Sequence, residues 1–201
     1  MYKKQVAFQR IVCFAALITG ALVFIYALGV LTDLYDTLYI MVEPTKLDSP
    51  KVAGARIYYD MQPFNQLLLT SSICLILLAC FLFLTNTHVR RKYYVGNAVA
   101  TCLNAIAELG VAVWIHVQMQ QFKQTYLTTV DFEALEKQLT MRKREFTNST
   151  FWFDIHYLVS ALLILSAVLL IVNFVWKKKM MREEQSLLTS SAKVTGKAVS
   201  A

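Results

Sequence analysis

Four long apolar runs limit what this chain can become more than any other feature. They cover about 7–31, 65–85, 93–117 and 152–176. Each exceeds the ~18 residues at which a membrane-crossing helix becomes the expected structure. Hydrophobic residues make up 57% of the 201, and charged residues only 16%, below the roughly 25% usual in soluble domains. Too little chain remains between the runs for a separate soluble core. The expected fold is all-α: one transmembrane domain at 1–180, built as a four-span helix bundle, and a disordered cytosolic tail at 181–201. Lys3, Lys4 and Arg10 ahead of the first run resemble the start of a signal peptide. That run is too long for the apolar part of such a peptide and ends without a small-residue cleavage pattern, so it stays in the mature protein.

The net charge is +7, which can mark nucleic-acid binding. Here the basic residues stand beside the ends of the runs, where anionic lipid and the insertion machinery read them. No nucleic acid is expected. Lys3, Lys4 and Arg10, then Arg90, Arg91 and Lys92, then Lys177, Lys178 and Lys179 place both termini and the short middle link in the cytosol. Residues 32–64 and 119–151 then lie outside. The sequon Asn148-Ser149-Thr150 in the second outer loop agrees, because a glycosylated Asn148 must be luminal or extracellular.

The third run carries the least expected residues. Asn97, Thr101, Asn104 and Glu108 recur at helical spacing and share one face. A carboxylate at that depth is costly unless it is paired, protonated or turned to a cavity. Counting depth at 1.5 Å per residue sets Glu108 in the outer half, level with Tyr26, Thr70–Ser72 and Ser160. The same count sets Asn97 level with Asn173 for a bond between spans three and four. The expected intramembrane seam is therefore Asn97, Thr101, Asn104, Glu108, Ser160 and Asn173. Its plainer role is to join helices; its sharper one is to handle a proton or cation. Ala98, Ala105 and Ala112 recur every seven positions on the same run, and Gly20 and Ala21 sit mid-way along the first. Such small residues let membrane helices approach closely.

Outside the runs, Phe132, Leu135, Leu139 and Phe146 predict an amphipathic outer helix over about Val130–Arg144, capped by Thr128 with Asp131. The first helix is expected to project to near Glu43, where Pro44 stops it. In the tail, Glu183-x-x-x-Leu187-Leu188 fits the acidic dileucine pattern read by clathrin adaptors in endocytic and endosomal sorting. All four cysteines, Cys13, Cys74, Cys80 and Cys102, lie within the runs, so neither outer loop holds a disulfide. Cys13, near the inner interface, is a candidate for palmitoylation.

Little here points to catalysis. His88, His116 and His156 form no HExxH or similar ligand pattern. His116 on the third run and Asp154 and His156 on the fourth lie near the outer interface, where solvation explains them more simply than a metal. No P-loop, Gly-rich dinucleotide turn, GxSxG or CxxC occurs, and no cofactor is expected. The four-span plan is similar to that of claudins, calcium-channel gamma subunits and tetraspanins. Yet the first outer loop has no Trp and no Cys pair, and the second has no Cys-Cys-Gly. Only the topology is shared. The expected function is that of a non-enzymatic accessory, assembly or trafficking subunit of a larger membrane complex at the plasma membrane or in endosomes and lysosomes. Its expected partners are the lipid bilayer and another membrane protein or a second copy. An oligomeric ion or proton conductor using Glu108 is the alternative, and a membrane-embedded lipid enzyme a distant one.

Overall fold

The computed structural model describes residues 2–34, 57–86, 94–141 and 149–199. Among them there is no strand. Four helices are long and apolar enough to cross a membrane. The first, α1, is Tyr2–Gly29 and runs into a π-helical turn at Val30–Leu34. A short α2 at Ile57–Asp60 leads into α3 at Gln62–Asn86. Then come α4 at Tyr94–Thr129, α5 at Phe132–Met141 and α6 at Phe151–Val199. The long helices pack as a ring in chain order, α1 on α3, α3 on α4, α4 on α6 and α6 back on α1, with the α4–α6 pair the most extensive.

Each neighbouring pair is antiparallel. Gln5 meets Asn173 while Tyr26 meets the carbonyl of Trp152, so α1 and α6 run in opposite directions. Likewise Asn97 meets Thr85 and Asn104 meets the carbonyl of Leu78 between α4 and α3. Both ends of the described chain therefore lie at one end of the bundle.

Apolarity alone cannot choose the inward faces, because these helices are hydrophobic all round. Small residues choose them instead. Ala16, Ala27, Ala79, Ala100, Ala105, Ala112 and Ala167 are buried, while Ile11, Ile18, Leu77, Ile106 and Leu165 face outward. Of the heptad alanines, Ala105 and Ala112 are buried and Ala98 is half-buried. A Cβ on Gly20 would stand 3.2 Å from Ile76 Cγ1, so that glycine lets α1 and α3 close up. Gly29 is needed more strictly. Its place against α6 is filled by the Trp152 ring, and a Cβ there would lie 2.2 Å from two ring carbons.

Helix ends differ from the ends of the apolar runs. α4 continues past the expected span end near 117 to Thr129 as a single 36-residue helix. The helix expected over Val130–Arg144 is α5, which starts at Phe132; Arg142–Arg144 lie outside the described residues. Its cap is not Thr128, which still belongs to α4 and bonds back to the carbonyls of Gln124 and Thr125. Asp131 is the cap, accepting from the Ala134 amide at 3.0 Å. Where a disordered tail was expected at 181–201, the helix α6 runs on to Val199. Lys, Met, Arg, Glu and Gln at 177–185 favour helix; the Ser-, Thr- and Gly-bearing sequence beyond them does not. The extension of α1 towards Glu43 falls outside the described residues.

Candidate functional site

The α4–α6 interface carries polar contacts along nearly its whole length. At mid-depth the Ser166 hydroxyl donates to Glu108 Oε1 at 3.0 Å. Glu108 is 3% exposed, and its Oε2 has no partner among the described residues. One turn towards the chain ends, the Asn104 amide donates to the carbonyls of Leu78 and Ala100, tying α4 to α3. Thr101 donates to the Asn97 carbonyl. Lys177 Nζ reaches from α6 to Asn97 Oδ1 at 2.6 Å, and Asn97 Nδ2 reaches Thr85 at 3.3 Å.

The six seam residues read from the sequence are all buried. Their partners differ from those read by depth. Glu108 meets Ser166, not Ser160, Tyr26 or the Thr70–Ser72 run. Ser160 instead donates to the Ala112 carbonyl at 3.3 Å, and Ser72 to its own helix at Leu69. Asn97 does not meet Asn173, whose Oδ1 accepts from Gln5 of α1 at 3.2 Å. The cause is geometric. Matching the ends of the apolar runs assumes that helices stop where hydrophobicity stops. Both α4 and α6 overrun it, and the true register is about five residues away from that match.

Away from the chain ends the same stripe of α4 continues through His116, Gln120 and Lys123. His156 on α6 is fully buried. Its Nε2 lies 3.2 Å from His116 Nδ1. Its Nδ1 contacts the Phe153 carbonyl, and since a carbonyl only accepts, Nδ1 carries the proton. Gln120 donates to the Tyr157 hydroxyl. Lys123 pairs with Asp154 at 2.5 Å, and Thr150 donates to the other Asp154 oxygen at 2.6 Å. Asp154 is thus engaged away from the two histidines. No three His, Cys, Asp or Glu side chains converge among the described residues.

Gln5, Gln9 and Ser166 were missed in the sequence, and His116 and His156 were seen there but read as interfacial solvation. The signal for His116 and Lys123 was present, since they extend the same helical stripe beyond Glu108. Ser166 and Gln5 offered no such signal, being single polar residues whose neighbours depend on register. The thiol of Cys13 is 1% exposed and faces the core, which corrects its reading as an acylation site. Asn65, also buried, has neither amide atom partnered among the described residues. Asn148 lies outside the described residues, as do the side chains of Leu187 and Leu188; Glu183 is exposed. Comparison with protein-family models, with curated proteins and with solved structures finds no match.

Proposed function

We propose that this chain is a non-enzymatic, multi-pass accessory or assembly subunit of a larger membrane complex, such as a channel, transporter or receptor. One observation carries the reading. From the expected membrane exit near residue 117, α4 continues for twelve more residues to Thr129, about 18 Å of helix. That extension is held stiff. Lys123 is tied to Asp154, and Tyr126 packs edge-on against Phe132 and tilted against Phe153 at centroid distances of 5.2 and 5.1 Å. Its outer face presents Gln121, Gln124, Thr125, Leu127 and Thr128. A plain anchor has no use for a rigid, mixed-polarity platform, whereas a partner protein docks on one. A photo-crosslinking residue at Gln124, followed by purification in mild detergent, tests this. A stoichiometric crosslinked partner is expected; crosslinks to copies of the chain alone, or none, would sink the accessory role.

The dileucine pattern fits the same role if the subunit directs its complex between endosome and surface. Leu187→Ala with Leu188→Ala is expected to raise the surface fraction about twofold or more, read by surface biotinylation. An unchanged fraction removes the signal. A conductor of protons or cations is the second reading, favoured by the unpartnered Oε2 of Glu108. Flux in reconstituted vesicles that disappears in Glu108→Gln would replace the first reading with this one.

A further inference from the structure

We propose that His116 and His156 form a binding site for a divalent transition cation of the zinc class at the outer end of the α4–α6 interface. The proposal goes beyond the accessory role and stands whether or not a partner is found. Three features of the pair support it. The first is spacing. Zinc–nitrogen bonds of about 2.0–2.1 Å at a tetrahedral angle separate two ligand nitrogens by about 3.3 Å. His156 Nε2 and His116 Nδ1 stand 3.2 Å apart and face each other. A cation fits between them with little movement of either ring.

The second is orientation. A ligating histidine usually donates its other ring N–H to a carbonyl or carboxylate, which fixes the tautomer and the aim of the lone pair. The proton on His156 Nδ1 is given to the Phe153 carbonyl, which leaves the Nε2 lone pair directed at His116. Burial of His156 and the Tyr157 ring, 4.1 Å away by centroids, hold that aim. The third is access. His116 is exposed and stands one residue from the expected membrane exit near 117, so a cation reaches the pair from the outer interface. The nearest charges already neutralise each other, because Lys123 is paired with Asp154. Imidazole nitrogen suits zinc, copper and nickel rather than calcium or magnesium.

In the metal-free pair, His116 Nδ1–H donates to His156 Nε2. On binding, His116 changes tautomer: its Nδ1 gives up the proton and its Nε2 takes one from solvent, so both rings stay neutral and His116 Nδ1 and His156 Nε2 donate lone pairs to the cation. The remaining positions go to water.

The purified full chain in detergent at pH 7.4 is titrated with Zn²⁺ against a fluorescent zinc chelator. Co²⁺ is then added for its absorption spectrum. One equivalent of Zn²⁺ is expected in wild type, with a melting temperature that rises with its concentration. The Co²⁺ bands should lack thiolate charge transfer. His116→Ala is expected to weaken Zn²⁺ binding about tenfold or more, and His156→Gln to do the same. His116 is exposed, so its variant decides the matter even where the His156 variant fails to fold. Wild type that binds no Zn²⁺ overturns the site. So does a His116→Ala protein that binds as tightly as wild type, or a Co²⁺ spectrum with sulfur bands.

Discussion

At the scale of single residues, Glu108 is held against its own interest. One oxygen is bonded to Ser166, and the other is buried without a partner among the described residues. Replacing such a group by an apolar one of similar size is often neutral or stabilising. Glu108→Leu is therefore expected to melt at the wild-type temperature or above it, because the freed Ser166 hydroxyl can turn to a carbonyl of its own helix. Ser166→Ala should cost only about 0.6 kcal/mol, the mean for hydrogen bonds between membrane helices. Thermal melting in detergent checks both. A large drop in Glu108→Leu would mean that the carboxyl is structural after all. If stability does not require Glu108, its presence has to be explained by what it does. The residue itself was legible in the sequence, as one member of a stripe at helical spacing. Its partner was not, since a hydroxyl on another helix is found only once the register is known.

At the scale of elements, the long helices were legible because hydrocarbon forces every backbone group to bond within its own segment. Their ends were not. Hydrophobicity marks where lipid stops, whereas α4 continues to Thr129, with Lys123 and Tyr126 packed on α6, and α6 continues to Val199. The same cause misplaced the cap of α5, since Thr128 resembles a helix start only if α4 has already ended. Asp131→Ala is expected to destabilise α5 by about 1 kcal/mol. Faster amide exchange across Phe132–Met141, with the exchange of α4 before Gln121 unchanged, would show it. No change in α5 would mean that packing of Phe132 on Tyr126 holds the helix without its cap. The Lys123–Asp154 pair is a weaker tie. Its side chains are 24% and 42% exposed, and pairs so open to solvent contribute about 0–1 kcal/mol.

At the scale of the whole molecule, four antiparallel helices bring both ends of the described chain to one end of the bundle, and the basic residues are the ground for proposing that this end is cytosolic. Tags at each terminus should be digested by protease in permeabilised cells but protected from protease added outside. Digestion of either tag from the outer side would invert or break the topology. The contacts between α4 and α6 also restrict how the bundle can move. Asn97 with Lys177, Glu108 with Ser166, Ala112 with Ser160, His116 with His156 and Lys123 with Asp154 all share one register. Sliding either helix by a single turn, about 5.4 Å, would break every one of them together and replace them with apolar mismatches. The pair therefore behaves like a closed zip fastener, with no low-energy piston stroke along its axis. A signal crossing this protein has to travel as a tilt, a twist or the opening of an end.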